Sequence, residues 1–397
     1  MVKDSGPGVP TRPSAWLVTL IGALAMVGAF STDAVLPAFP SIGTALSATP
    51  VQVQQSLTAF LIAYAAMNLW HGALSDAFGR RAVITIALLG FLLASIGCSL
   101  APTIEVLIAC RALQGVCAGA GQVVGRAVVR DLYSGAQAQQ QLARVSMMFA
   151  IAPVAAALLG GFLVNGIGWR SVFVALALLS ALLLLCAFTL LPETLARSDR
   201  IALHPVALAR VYGQVLRQPK VRRFAAAIAC AQSAMFISIA GAPAIVMGHY
   251  KLPVTQFYWL FGPLVAGLFV GGAISSRLAF RVTQSRQLAV AFSVMAVAAL
   301  AEARFAITGI VALPWNFAPL FFYALGMMML VPVFSSRMLD AAPHVAGTVS
   351  SCQSFVQGVG LTVVSGLIVP ALSHSLVAIA AAKLVLLTLA FLAWGRR

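Results

Sequence analysis

Long apolar runs recur along this 397-residue chain, and each is about as long as a helix that crosses a membrane. Such a helix needs about 20 mostly apolar residues. Stretches such as 176–191 are apolar on every face, whereas a spanning β-strand alternates apolar and polar residues. Charged residues make up only 9% of the chain, against roughly 25% in soluble domains. The sequence therefore predicts an all-α polytopic membrane protein.

Twelve runs are long enough to be spans, and a polar, arginine-rich stretch divides them into two sets of six. We predict an N-terminal half at 16–191 and a C-terminal half at 223–397, joined by a cytoplasmic linker at 192–222 and preceded by a cytoplasmic tail at 1–15. Within the linker, 201–216 mixes apolar and basic residues, which is typical of a helix on a membrane surface. The predicted spans lie near 16–39, 51–71, 82–100, 103–126, 142–166, 170–191, 223–248, 257–279, 286–308, 314–337, 345–370 and 374–394.

The basic residues fall on one side of this predicted topology. With the N-terminus inside, about 20 of the 25 Lys and Arg lie in inner loops and tails, and only Arg170, Lys251 and Arg304 lie in outer loops. Positively charged loops remain in the cytoplasm, so both termini are expected there, in a multi-pass protein of a bacterial inner membrane. This distribution explains the net charge of +16 without a nucleic-acid partner.

Two loops at equivalent places in the halves repeat a glycine and a basic ending. After predicted span 2 the chain reads Gly72-Ala-Leu-Ser-Asp76-Ala-Phe-Gly79-Arg80-Arg81, and after span 8 it reads Gly272-Ala-Ile-Ser-Ser276-Arg277-Leu-Ala-Phe-Arg281. The first copy resembles the signature loop of the major facilitator superfamily. The resemblance implies two six-helix halves and a conformational latch formed by Gly72, Asp76, Gly79, Arg80 and Arg81.

Two of these latch residues have a physical role that the sequence suggests. Gly72 is expected to let a neighbouring helix approach closely, because glycine has no Cβ. Asp76 is expected to meet a helix N-terminus or a nearby arginine. An ordinary charged turn is the alternative interpretation of this loop.

Other segments resemble the bicyclomycin/chloramphenicol-resistance family of drug exporters within that superfamily. They are Asp33-Ala-Val-Leu-Pro37-Ala-Phe-Pro40, Arg111-Ala-Leu-Gln114-Gly115, Arg130-Asp131-Leu-Tyr133, Ala152-Pro153, Gly160-Gly161, Trp169-Arg170, Pro192-Glu193-Thr194, Met235-Phe236, Gly241-Ala-Pro243 and Pro343-His-Val-Ala-Gly347-Thr348. The likeness is better in the first half. It implies that Pro153, Gly160 and Gly161 in span 5 limit proton leak during exchange. The general use of proline and glycine in membrane helices is the alternative.

Charged residues inside spans are costly and usually functional. At a rise of 1.5 Å per residue, Asp33 in span 1 and Arg111 in span 4 lie about 10 Å and roughly 12 Å below the same surface. We predict that Asp33, Arg111 and Gln114 couple proton and substrate, with Asp33 alternating between the two and Arg111 controlling the pKa of Asp33. A static Asp33–Arg111 pair that only orients the helices is the alternative.

Other polar residues in the spans are weaker candidates. Glu302, near the outer end of span 9, is expected to be solvated, and His71 is expected at the membrane interface. Polar residues in spans tend to face the bundle interior, so six of them are candidates for lining a cavity. They are Tyr64, Asn68, Gln232, Ser238, Gln353 and Gln357.

The resemblance implies a proton-coupled antiporter that exports small amphipathic drugs or antibiotics by alternating access. A second acid, present in span 1 of some relatives, is absent because Ala25 occupies that region, and this favours neutral or zwitterionic, phenicol-like substrates. An exporter of a purine nucleoside, a sugar or a siderophore is the alternative. The chain contains no His-Glu-x-x-His or Gly-x-Ser-x-Gly motif, so no enzyme is expected. The expected partners are a small molecule, protons and lipid, without metal or cofactor, and the protein is expected to be a monomer.

Overall fold

The computed structural model describes residues 15–133, 135–201, 203–278, 281–341 and 346–395. Of the sequence predictions, the tail at 1–15 lies outside the described residues except for Ala15. The segment 343–345, which carries part of the resemblance in the second half, also lies outside them.

Twelve helices are long and apolar enough to cross a membrane, which confirms the all-α, twelve-span prediction. They are Trp16–Ala45, Pro50–Phe78, Arg80–Ser99, Ile104–Leu132, Gln140–Gly166, Arg170–Leu190, Pro219–Ala240, Val254–Leu278, Gln284–Thr308, Trp315–Met338, Val349–Leu372 and Leu376–Gly395, here numbered spans 1 to 12. The side on which span 1 begins and span 12 ends is called the terminal side, and the opposite side is called the distal side.

Contacts among spans 1–6 and among spans 7–12 form two packed groups. In the first group span 1 packs on span 5, span 2 on span 4 and span 3 on span 6. In the second group span 7 packs on span 12, span 8 on span 10, and span 9 on spans 10 and 12. The groups meet where span 2 packs on span 11 and span 5 packs on span 8.

Large apolar side chains remain exposed around the outside of the bundle. Ile86, Leu178 and Val297 are 67–70% exposed, and similar residues recur on spans 6, 9 and 12. A surface of large apolar side chains is suited to contact with lipid. The helices can stand in lipid because their backbone polar groups are hydrogen-bonded within each helix.

Several spans change geometry along their length. In span 1 the α-helix Ala15–Asp33 ends, a 3₁₀ turn follows at Leu36–Ala38, and a second α-helix runs over Phe39–Ala45. Pro37 lies in that turn, where its missing N–H group removes one helical hydrogen bond. Span 4 consists of Ile104–Ala118 and Ala120–Leu132, which are separated at Gly119. π-helical segments occur at Pro243–His249, after span 7, and at Val364–Ile368 within span 11.

The linker contains a helix at Pro205–Arg217, within the segment where the sequence suggested one. The Tyr212 hydroxyl of this helix donates a hydrogen bond to the Leu69 carbonyl of span 2 at 2.7 Å. Val215 is buried among residues of the second group of spans. The linker helix therefore contacts both groups of spans.

Candidate functional site

Asp33 lies at the break in span 1 and is only 5% exposed. Gly160 of span 5 packs directly against the backbone beside it, because a Cβ on Gly160 would lie 2.1 Å from the Ala34 carbonyl oxygen. Among the described residues, none forms an ion pair or hydrogen bond with the Asp33 carboxylate. The fold therefore places an uncompensated acid beside a close backbone contact between spans 1 and 5.

Arg111 of span 4 is fully buried, at 1% exposure, and neutral groups surround it. Its Nη1 donates to Ser31 Oγ at 2.9 Å and to Gln114 Oε1 at 2.8 Å. Its guanidinium lies over the Phe60 ring of span 2, 4.4 Å from the centroid. Gln114 in turn donates to Ser95 Oγ of span 3 at 2.7 Å. Arg111 and Gln114 thus join spans 1 to 4 in one buried polar cluster.

Asp33 and Arg111 do not form an ion pair in this structure, although the sequence placed them at similar depths. The reason lies in the geometry of span 1. Ser31, which binds Arg111, precedes Asp33 by two residues, and two residues turn an α-helix by about 200°. The two side chains therefore leave span 1 on nearly opposite faces. A static Asp33–Arg111 pair is absent from the described residues in this conformation.

Two cavity candidates on span 2 face span 4. The Tyr64 hydroxyl donates to Gln122 Oε1 at 2.7 Å. Asn68 is buried beside the break in span 4, where a Cβ on Gly119 would lie 1.9 Å from its Oδ1 atom. His71 is also buried in this contact between spans 2 and 4, and its expected depth at the membrane interface stays a prediction.

The candidates in the second half are dispersed. Gln353 of span 11 donates to Ser335 Oγ of span 10 at 2.9 Å, whereas Gln232 and Gln357 are half-buried. Ser238 faces span 12 and accepts a hydrogen bond from Lys383. The structure therefore does not gather the six candidates around one point, and their role in binding stays a prediction.

The latch residues form a network inside the first half. Arg80 pairs with Asp76, and its Nε also donates to Asp131 Oδ2 of span 4 at 3.1 Å. Its Nη1 donates to Ser75 Oγ at 2.6 Å. Asp76 thus meets an arginine, as the sequence suggested. Gly72 differs from expectation, because a Cβ there would lie 3.9 Å from Val123, an ordinary contact that requires no glycine.

Glu193, after span 6, completes this network. Its carboxylate accepts hydrogen bonds from the backbone N–H groups of Arg80 and Arg81, at 2.9 and 3.3 Å. Gly79 makes this possible, since its φ is +101° and a Cβ would lie 2.4 Å from Glu193 Oε2. In the sequence, Glu193 stands out only as part of the segment Pro192-Glu193-Thr194 that resembles the exporter family. Its place in the predicted topology could have indicated this role. Glu193 follows the end of span 6 on the terminal side, where span 3 begins, and an acid is favourable at a helix N-terminus.

Span 5 carries Pro153 within its helix and a pair of glycines further along. Gly160 contacts the backbone after Asp33, and Gly161 faces the other half, where a Cβ would lie 2.7 Å from the Val254 carbonyl oxygen of span 8. The two glycines therefore connect the acid-bearing break to the second half. Whether they limit proton leak stays a prediction.

The second half contains a buried charge pair that was not predicted from the sequence. Lys383 of span 12 is 2% exposed and its Nζ lies 2.5 Å from Glu302 Oε1 of span 9. Glu302 is therefore paired rather than solvated, which corrects the expectation for it. Depth was an available signal, because the two residues lie roughly 10 Å and about 9 Å from the distal ends of their spans at 1.5 Å per residue.

Known proteins resemble this chain over most of its length. A model of the Major Facilitator Superfamily matches residues 21–365. The chain is 27% identical over 341 residues to the bicyclomycin resistance protein homolog of Haemophilus influenzae, covering 84% of each chain. It is 28% identical over 362 residues to the chloramphenicol resistance protein of Pseudomonas aeruginosa, covering 90% of this chain and 84% of that relative.

The fold is similar to that of the human organic anion transporter MFSD10, with a TM-score of 0.65 over 96% of this chain and 100% of that chain, at 18% identity. These relatives are transporters rather than enzymes, and small molecules and a lipid bilayer are therefore partners of this chain. The loop at 72–81 predicted this family correctly, and the chain belongs to the Major Facilitator Superfamily.

Proposed function

We propose that the protein is a proton-coupled antiporter that exports small neutral or zwitterionic amphipathic drugs by alternating access. The relatives named for bicyclomycin and chloramphenicol resistance support drug export. The observation that carries proton coupling is Asp33, an acid buried at a helix break without a counter-charge among the described residues. The basic terminal side would face the cytoplasm of a bacterial inner membrane.

Asp33 has the properties that exchange requires. A carboxylate buried without a partner is costly, so either a proton or a polar group of the substrate must neutralise it. Asp33 lies at the break in span 1, and Gly160 of span 5 contacts the next residue, Ala34. The surroundings of Asp33 therefore depend on how spans 1 and 5 pack. Movement of the halves would then change which of the two ligands reaches it.

Arg111 would act as a fixed charge in this mechanism. It is bound by neutral oxygens of Ser31 and Gln114, so the local positive charge remains uncompensated by these partners. A buried positive charge disfavours cationic substrates, which agrees with the absence of a second acid at Ala25.

The test is transport of radiolabelled chloramphenicol into inverted membrane vesicles with an acidic lumen. We expect wild-type vesicles to accumulate the drug only with the pH gradient, and Asp33→Asn vesicles to fall to the level of vesicles without the protein. Asp199→Asn, an exposed carboxylate in the linker, is the matched control and should transport normally. A wild-type rate of pH-driven uptake by Asp33→Asn would exclude Asp33. Uptake of a purine nucleoside, with no drug uptake, would favour the metabolite exporter.

A further inference from the structure

Hydrogen bonds join the two halves near the distal side, between spans 2 and 11. Ser365 of span 11 is fully buried and accepts a hydrogen bond from Gln54 Nε2 of span 2 at 3.1 Å. Its hydroxyl also lies 3.0 Å from Thr58 Oγ1, one turn further along span 2. Three uncharged polar side chains thus meet between the two halves.

The backbone of span 11 lies close to span 2 at this contact. Ser365 lies in the π-helical segment Val364–Ile368, a geometry that is often found at functional sites. The next residue is Gly366, where a Cβ would lie 2.9 Å from Thr58 Cγ2. Spans 2 and 11 are therefore in direct contact here, which leaves no passage for a solute between them at this level.

A cleft of about 750 Å³ lies between the halves on the distal side of this contact. Its volume falls within the range of small-molecule sites, roughly 300–1,000 Å³. Its walls include Phe39, Val51 and Gln54 from the first half and Met247, Val369 and Pro370 from the second. Among the described residues that line it, none is Asp, Glu, Lys or Arg, and His374 is exposed.

We infer that Gln54, Thr58 and Ser365 form the polar gate that closes the distal end of the transport path, and that the cleft is an exit vestibule for uncharged amphipathic molecules. Gln54 belongs to both, since it lines the cleft and binds Ser365. When the gate opens, water replaces each lost hydrogen bond, so a polar gate costs little to open repeatedly. A mostly apolar cleft without charged side chains offers no counter-charge to an ionic solute. It can bury the surface of an uncharged amphipathic solute. This inference rests on the proposed export function.

The gate is tested by a reversible cross-link. Thr58→Cys with Ser365→Cys replaces two hydroxyls that lie 3.0 Å apart by thiols, so that the two sulfurs face each other and can be joined in a disulfide. Copper–phenanthroline oxidises the two thiols by removing two electrons and two protons, and dithiothreitol reduces the bond again. We expect pH-driven chloramphenicol uptake to stop on oxidation and to recover on reduction. The single variants Thr58→Cys and Ser365→Cys should be unaffected by either reagent.

Recovery in the same vesicles shows that the double variant is folded. Undiminished uptake by fully cross-linked protein would overturn the gate. This result differs from failure of the proposed function, in which wild-type vesicles would show no pH-driven uptake at all. If only the gate is wrong, wild-type uptake persists and the cross-link has no effect on it.

The vestibule is tested by placing a charge in its wall. Met247→Glu introduces a carboxylate into the cleft, and Val311→Glu, which places the same charge in an exposed distal loop outside the cleft, is the matched control. We expect Met247→Glu to lower chloramphenicol uptake about fivefold or more, because the cleft offers the new charge no partner, while Val311→Glu remains near wild type. Equal uptake by the two variants would overturn the vestibule.

Discussion

At the scale of single residues, Lys383 and Glu302 illustrate how a membrane protein carries charge in its interior. Lys383 is almost completely buried, and besides Glu302 it donates a hydrogen bond to Ser238 of span 7. The three residues therefore connect spans 7, 9 and 12. They lie on a different interface from the contacts between the halves, so we expect them to stabilise the second half.

Removing one partner should be worse than removing both. Lys383→Met leaves Glu302 without its counter-charge, and we expect it to destabilise the protein by about 3 kcal/mol. Lys383→Met with Glu302→Gln should recover most of that loss, because no unpaired charge is left. Thermal unfolding of purified protein in detergent measures both. Equal destabilisation by the single and double variants would show that the pair contributes nothing as a pair.

At the scale of helices, the spans approach one another where glycine exposes a backbone. Gly160 is the case closest to the proposed proton site. Gly160→Ala adds a Cβ that would lie 2.1 Å from the Ala34 carbonyl oxygen, so spans 1 and 5 must separate or the break at Asp33 must shift. We expect pH-driven uptake to decrease strongly, although alanine favours helix more than glycine does.

Gly166 at the end of the same span is the matched control for Gly160→Ala. A Cβ there would meet nothing within 4 Å, so Gly166→Ala should transport like the wild type. Normal coupling in Gly160→Ala would show that the close contact with Ala34 has no role in exchange.

At the scale of the whole molecule, the distribution of basic residues makes a prediction about orientation. Val206 in the linker helix and Val311 in the loop between spans 9 and 10 are both exposed, on the terminal and distal sides respectively. In intact cells, a membrane-impermeant maleimide should label Val311→Cys, and it should label Val206→Cys only after permeabilisation. The reverse pattern would place the terminal side outside the cell.

The fold was largely predictable, because length and apolarity are local properties of a sequence. Twelve spans are found near the places that the pattern indicated. The segment 72–81, predicted as a loop, is helical except at Gly79, because span 2 continues to Phe78 and span 3 begins at Arg80. Span 1 continues to Ala45, beyond the predicted 39, because the chain resumes an α-helix after the turn at Pro37.

The partners of charged residues were much less predictable. Depth along a helix follows from counting residues, and it placed Asp33 and Arg111 at similar levels. The rotation of a helix depends on its packing, and it directs Arg111 to Ser31 instead. The Lys383–Glu302 pair likewise depends on the packing and rotation of spans 9 and 12, which the sequence does not give.

The break at Gly119 divides span 4 into two helical arms, Ile104–Ala118 and Ala120–Leu132. One arm holds Arg111, which is tied to Ser31, and the other holds Asp131, which is tied to Arg80 of the latch. Span 4 therefore links the buried polar cluster around Arg111 and the charge network around Arg80 within one interrupted helix. A substitution at Gly119 would act on both at once, and a Cβ there would also collide with Asn68 Oδ1.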